Sequence, residues 1–385
     1  MSTFEFATAA RIFFGEGASS EAPAAACSMG SRALVVGGRS SDRTQPLVSA
    51  LQTAGLQTIR VEIPAEPTID LIRRLSALAR NERCDVVLAI GGGSVIDSGK
   101  AIAALLTNRE DVLEYLEVIG RGHPLTHAPV PFIAIPTTAG TGSEVTRNAV
   151  LGSPAHGVKA SLRSAQMLPR LAIIDPSLTI SVPRPITAST GLDALTQLIE
   201  PYVSVRANRF TDALCVEAIP RAAAALPRVW DRPDDAAARS EMSWSSLCGG
   251  LALANAGLGA VHGLAAPIGG MFDAPHGAIC AALLPHVIAA NVRALRSRQP
   301  ESPALVRYQH TARMLTNQPH ATAEDGAAWV AQLCRKLEVP PLASYKIQQT
   351  DIPSVAERAA KASSMKANPI VLSPAEIGEI VAAAL

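Results

Sequence analysis

The sequence predicts an α/β plus all-α chain: an N-terminal domain on a doubly wound parallel sheet, followed by a C-terminal helical domain. Three observations predict it. Short β-branched runs alternate with helix-like segments through the first half. Several of those runs are apolar on both sides, as strands covered on two faces are. Past residue 184 no run reads as a strand, and Ala- and Leu-rich segments at helical spacing dominate.

In chain order, Arg32-Ala-Leu-Val-Val-Gly-Gly38, Asp85-Val-Val-Leu-Ala-Ile90, Pro131-Phe-Ile-Ala-Ile135 and Leu171-Ala-Ile-Ile174 read as strands. Gln45 to Ala54, Ile69 to Arg80 and Asp97 to Leu106 read as crossover helices, giving the βαβ alternation of a parallel sheet. The texture changes at Ser181-Val-Pro-Arg-Pro185, where two prolines precede the polar Thr187-Ala-Ser-Thr190. The predicted domains are therefore 1–184 and 185–385, with Pro220, Pro227, Pro233, Pro267 and Pro285 punctuating the second. The longest apolar stretch, Cys248 to Val261, is shorter than the ~20 residues of a membrane span and reads as a buried helix.

Composition narrows the function. The 385 residues are 48% hydrophobic and 17% charged, enough to bury two cores. Lys plus Arg number 34 against 33 Asp plus Glu, so no net field exists to hold a polyanion, and nucleic acid is excluded as a main partner. No membrane segment is expected. Six cysteines are scattered without a Cys-x-x-Cys pair, which suits reduced core thiols and a cytoplasmic protein. Residues 1–14 carry Glu5 and Arg11 and lack the apolar run of a secretory signal.

Two glycine-bearing loops carry binding chemistry. Gly91-Gly-Gly-Ser-Val-Ile-Asp97 follows a strand and opens a helix, where backbone amides and the helix dipole hold a diphosphate and a Cβ would block its approach. It is neither a G-x-G-x-x-G fingerprint nor a Walker loop, Lys100 being wrongly spaced. A tight structural turn is the competing reading. Pro136-Thr-Thr-Ala-Gly-Thr-Gly-Ser-Glu-Val-Thr146 follows another strand and offers hydroxyls to the same crevice, as a ligand at a topological switch point requires.

In the helical half, Asp193 and Gln197 stand at i and i+4, pointing the same way, and His262 and His276 follow. One carboxylate and two imidazoles can bind a divalent first-row metal and leave positions open for a substrate oxygen. Taken alone, two histidines fourteen residues apart are more often ordinary core or surface residues than ligands.

Taken together, Arg11-Ile-Phe-Phe-Gly15, Gly91-Gly-Gly-Ser-Val-Ile-Asp-Ser-Gly-Lys100, Ile135-Pro-Thr-Thr-Ala-Gly-Thr-Gly-Ser-Glu144, Leu171-Ala-Ile-Ile-Asp-Pro176, Gly191-Leu-Asp-Ala194, His262-Gly-Leu264, Pro275-His-Gly277 and Leu284-Pro-His286 resemble the iron-containing (group III) alcohol dehydrogenases nearly end to end. The resemblance implies a dinucleotide-binding domain, a helical domain and an active site in the cleft between them. It places Gly92, Gly93, Ser94 and Asp97 along the cofactor pyrophosphate and nicotinamide ribose, with Thr137, Thr138 and Thr146 nearby. It matches Lys159 to a lysine that reaches the cofactor, and Asp193, His262 and His276 to three metal ligands. His286 matches a structural histidine. A homo-oligomer, dimer or larger, is implied as well.

The chain departs from the pattern at two places. The fourth ligand, usually histidine, is Gln197, a neutral and harder donor. Ala266 stands where many members have a second histidine four residues after the ligand His262, so a proton relay is missing. After the strand at 32–38 comes Gly38-Arg39-Ser40 instead of the acidic residue of NAD-preferring relatives, which favours NADP(H), because a carboxylate repels a 2′-phosphate and arginine pairs with it.

The expected function is reversible hydride transfer between NADP(H) or NAD(H) and a small alcohol or aldehyde, with Fe2+ or Zn2+ as Lewis acid and His262 and Lys159 as catalytic residues. The alternative is a metal-independent reduction like that of the maleylacetate reductases, toward which Gln197 and Ala266 lean. Related glycerol dehydrogenases are similar with an Asp/His/His set. A lyase of the dehydroquinate synthase type fits the helical motifs less well. A non-catalytic nucleotide-binding protein with a decayed metal site is opposed by the retained Asp193, His262 and His276.

Overall fold

The computed structural model describes residues 3–385. Two compact units divide it. One comprises residues Thr8–Thr138 and Gly142–Thr179; the other comprises residues 3–7, Ala139–Thr141 and Ile180–Leu385.

The first unit is built on six parallel strands in the order β1-β8-β5-β4-β2-β3. They are β1 (Ile12–Phe14), β2 (Arg32–Gly37), β3 (Gln57–Glu62), β4 (Val86–Gly91), β5 (Phe132–Pro136) and β8 (Leu171–Ile174). Helices α1 (Ala22–Cys27), α2 (Ser41–Thr53), α3 (Ile69–Asn81) and α4 (Gly93–Thr107) cross over them, and a short α5 (Val112–Tyr115) follows. Alternation along the strands splits the core in two. Leu34, Val36, Val87, Ala89 and Ala134 pack with α3 and α4, while Ala33, Val35, Val86, Leu88, Ile133 and Ile135 pack with α1 and α2. Gly99 lets α4 lie close on the sheet, since a Cβ there would meet Phe132 at 2.6 Å and Ala89 at 2.7 Å.

The chain runs outward from β2 to β3, then returns to the other side of β2 as β4 and continues through β5 to β8. The order reverses between β2 and β4, so a crevice is expected outside their carboxyl ends. Gly38 and Gly92 follow those two ends.

Three features differ from the sequence expectation. An antiparallel hairpin, β6 (Asn148–Ser153) with β7 (Val158–Arg163), stands where no strand is read from the sequence. The edge strands β1 and β3 are likewise additional. Helix α4 begins at Gly93 rather than Asp97, so the glycine loop is itself the first helical turn.

The second unit is helical: α6 (Arg184–Val203), α7 (Arg209–Asp231), α8 (Ala236–Ala256), α9 (Ala260–Met271), α10 (His276–Arg298), α11 (Pro303–Thr316), α12 (Ala323–Lys336), α13 (Ile352–Ala360) and α14 (Pro374–Ala384). The single buried helix expected over Cys248 to Val261 is two helices. Gly257, at φ 74°, stops α8, and α9 leaves at 95° to it. Among the described residues only α10 is by itself long and apolar enough to cross a membrane, and it is largely buried in this unit, as a core helix is.

Candidate metal centre and dinucleotide cradle

Helix α6 carries Asp193, Gln197 and Glu200 at i, i+4 and i+7, on one buried face. The bend before α9 brings His262 to them. Its Nε2 lies 3.3 Å from Asp193 Oδ1, and its Nδ1 lies 2.7 Å from Glu200 Oε2. The other Glu200 oxygen accepts the Val261 amide at 2.7 Å, and Asn368 Oδ1 accepts that of Ala260 at 3.1 Å, so side chains from elsewhere cap the start of α9. Gly259 makes this approach possible, since a Cβ would meet Glu200 Oε1 and Asn368 Oδ1 at 2.9 Å.

Helix α10 starts at His276, whose Nε2 is 3.9 Å from Asp193 Oδ1. Gly277 permits that placement, because a Cβ there would meet the Ser189 carbonyl at 2.9 Å. One turn further on, the buried Sγ of Cys280 lies 3.6 Å from His276 Nε2. Ligand atoms of Asp193, His262, His276 and Cys280 all fall within 4.8 Å of one another. Gln197 stands beside them, its Nε2 donating to Asp193 Oδ2 at 3.1 Å.

The electrostatics suit a cation. Burial opposes charge on Asp193 and on both imidazoles, yet the neighbours prevail. His262 and His276 hold Asp193 below the ordinary carboxylate range. Cys280, Glu200 and Asp193 raise His262 well above an ordinary imidazole, and Cys280 and Asp193 raise His276. The same negative potential also favours a divalent ion, which binds the neutral imidazoles and displaces their protons. Asp193 Oδ1, Gln197 Oε1 and His262 Nε2 are buried without a hydrogen-bond partner. Each such orphan costs ~1–3 kcal/mol, which a bound metal offsets by taking the lone pairs. The residues present fit a metal.

The sequence reading omits Cys280 and Glu200. Their signals are the His276-x-x-x-Cys280 spacing and the i+7 step from Asp193. His286, a half-buried histidine of α10, stands outside the cluster.

In the α/β unit, Gly92 caps α4 in extended conformation with no side-chain cap, and the first turn holds no acid. The leading amides of α4, from Gly93 and Ser94, have no intrahelical acceptor and form an anion cradle. A Cβ on Gly92 would project to 3.4 Å from Thr138 Oγ1. Thr137, buried after β5, donates its amide to the Gly91 carbonyl at 2.9 Å and ties the two loops together. The residues fit a dinucleotide diphosphate.

Asp97 and Thr146 are committed within the unit. Asp97 Oδ2 accepts the Val150 amide at 2.9 Å, and Oδ1 lies 3.2 Å from Lys100 Nζ. Lys100, 1% exposed, also donates to Ser143 O at 2.9 Å, to Thr146 Oγ1 at 3.0 Å and to Asn148 O. These residues brace the hairpin against α4, a role the sequence reading misses for Lys100. Lys159, on β7, is paired with Glu66 Oε2 at 2.5 Å and must leave it to reach a cofactor. Gly38 is half-buried, Arg39 and Ser40 are exposed at the end of β2, and Arg39 makes no ion pair among the described residues.

Comparison with known proteins identifies the family. Residues 9–176 match the model of the iron-containing alcohol dehydrogenases, and residues 187–385 match the C-terminal model of the same family. The chain is 35% identical to a 1,3-propanediol dehydrogenase of Klebsiella pneumoniae, over 86% of this chain and 84% of that one. It is 35% identical to a probable alcohol dehydrogenase EutG of Salmonella typhimurium, over 89% and 83%. Among solved structures, a 1,3-propanediol oxidoreductase superposes with TM-score 0.91 at 32% identity, covering both chains fully. An iron-containing alcohol dehydrogenase of Thermotoga maritima superposes with TM-score 0.84 at 26% identity, over 99% of each.

The fold and these matches thus define a dinucleotide-dependent oxidoreductase of the alcohol dehydrogenase kind. The chain belongs to the iron-containing alcohol dehydrogenase family, whose members use NAD(P) and a metal, typically iron.

Proposed function

We propose that the chain interconverts a small alcohol and its aldehyde with NADP(H), using a divalent metal held by Asp193, His262 and His276. The observation that carries this reading is the convergence of buried, unpartnered donor atoms on one point. When bound, the metal supplies Lewis-acid polarisation of the substrate oxygen and the dinucleotide supplies or accepts the hydride.

The chain's own residues do the positioning. Glu200 accepts the Nδ1 proton of His262 and so presents the Nε2 lone pair. Gln197 fixes Asp193 through its amide. The amides of Gly93 and Ser94 hold the diphosphate, and Arg39 with Ser40 pairs with a 2′-phosphate. Exposed Ala266, one turn after His262 on α9, leaves space where many relatives carry a second histidine, so the proton leaves by solvent rather than by a side-chain relay.

A metal-free, maleylacetate-reductase-like reading is favoured by one feature, Gln197 in place of imidazole. Elemental analysis of protein purified without chelator, wild type beside His262→Ala, separates the two. About one iron or zinc per chain, lost with turnover in the variant while NADPH still binds, supports the proposal. Equal turnover in both proteins overturns it, and absence of metal from an active wild type transfers the assignment to the metal-free reading.

A further inference from the structure

We propose that Cys280 Sγ is the fourth protein ligand of this metal, the thiolate taking over from the imidazole that Gln197 has replaced, and that the site consequently selects zinc over iron. The inference rests on the metal-dependent reading above and goes beyond it in naming the ligand and the metal.

Geometry is the first support. A tetrahedral ion with bonds of ~2.3 Å to sulfur and ~2.0–2.1 Å to nitrogen or oxygen sets sulfur and nitrogen about 3.6 Å apart, and nitrogen and oxygen about 3.3 Å apart. Cys280 Sγ to His276 Nε2 is 3.6 Å, and His262 Nε2 to Asp193 Oδ1 is 3.3 Å. Two edges of the donor set thus have tetrahedral length, and the third, His276 Nε2 to Asp193 Oδ1, is longer at 3.9 Å. His276 and Cys280, at i and i+4 on α10, face the same way, as two ligands from one helix must.

The second support is the partnership of each donor. Asp193 and His262 are 1% and 6% exposed, and their Oδ1 and Nε2 atoms are unpartnered inside the cluster. Gln197 Oε1 is unpartnered as well, while its Nε2 donates to the other Asp193 oxygen at 3.1 Å, so the amide positions that carboxylate and is the oxygen donor that competes with Cys280 Sγ for the fourth place.

Charge is the third. One carboxylate, one thiolate and two neutral imidazoles neutralise a divalent ion, whereas one carboxylate and three imidazoles leave a net positive charge in a buried site. As the Sγ–metal bond forms, the thiol proton goes to solvent. A softer thiolate donor in a mixed N/S set suits zinc and, as a probe, cobalt, better than ferrous iron. The other five cysteines lie outside this cluster.

The test is Co(II) loading of the full chain, wild type beside Cys280→Ala and Cys280→Ser, read by absorption. Expected is one cobalt per chain with an intense near-ultraviolet thiolate-to-cobalt band in the wild type, absent from both variants, whose zinc affinity falls by more than about tenfold. Gln197→His in the Cys280→Ala background should restore metal retention without restoring the band. X-ray absorption of the zinc-loaded wild type should find one sulfur at ~2.3 Å, a reading independent of whether any variant folds. Stoichiometric metal without sulfur in its shell overturns the proposal and leaves the metal-dependent reading standing. No metal binding at all overturns both.

Discussion

Glu200 holds His262 and the start of its helix at once: Oε2 lies 2.7 Å from His262 Nδ1, and Oε1 accepts the Val261 amide at 2.7 Å. The carboxylate fixes the tautomer, so that Nε2 is the free lone pair. Replacing it by glutamine keeps the volume but loses the charge that strengthens the imidazole as a ligand. Glu200→Gln should lower metal affinity about 10–100-fold, measured by competition against a chromogenic chelator. An unchanged affinity would show that Glu200 only caps the helix.

Lys100 is a buried cation whose partners all belong to the α/β unit: Asp97, the Ser143 and Asn148 carbonyls and the Thr146 hydroxyl. Burial lowers its pKa, against the pull of Asp97 and Glu144. Lys100→Met leaves Asp97 as an uncompensated buried carboxylate, at a cost of about 3–5 kcal/mol. The loop before Thr146 should loosen with it. Urea denaturation reads the stability loss, and NADPH fluorescence titration should show weaker binding in the folded fraction.

Much of this architecture is legible in the sequence because burial writes itself as apolar pattern. Strands β2, β4, β5 and β8 read clearly, since both faces are covered. The edge strands do not: β1 has three residues, and β3, Gln57-Thr-Ile-Arg-Val-Glu62, buries only Val61. In β6 and β7 the alternation runs through Ala, Gly and Ser, too small to stand out from a loop. Asp193, His262 and His276 are picked out in the sequence by donor type, but their joining as one ligand set comes from the resemblance, because spacing alone leaves ordinary core or surface roles open. Cys280 escapes because a thiol among apolar helical neighbours reads as core, and only tertiary packing sets it beside His276.

Glu144 is 3% exposed, and burial pushes its carboxyl up to about 7, against its own backbone amide and the Lys100 cation. Its folded value lies above the unfolded ~4.3. The stabilisation is therefore complete below the unfolded value and is lost as pH rises through about 7. Glu144→Gln removes this titration. Relative to the variant, the wild type should lose stability between pH 4 and pH 8, by no more than about 4 kcal/mol. Paired denaturation curves at the two pH values cancel most of the titration of other groups, and a difference independent of pH would refute the assignment.

On the proposed reading, Arg39 selects NADP(H) over NAD(H). It follows β2 at one side of the strand-order reversal, exposed and without an ion pair among the described residues, and Ser40 caps α2 without using its side chain on the helix. A 2′-phosphate there would meet a guanidinium, a hydroxyl and the free amides at the start of α2 together. Asp42, exposed in the first turn of α2, is the nearest acid in sequence and follows the position at which relatives preferring NAD present theirs. Arg39→Ala should raise KM for NADP about tenfold or more, the value of a charge-assisted hydrogen bond of ~1.5–3 kcal/mol, and leave NAD nearly unaffected. Arg39→Asp adds repulsion of the 2′-phosphate while offering a carboxylate to the ribose hydroxyls, so it should invert the preference. Initial rates with both dinucleotides, at low and high salt, check this. The Arg39 contribution should shrink as salt screens it, and equal effects on NADP and NAD would place the residue outside the cofactor site.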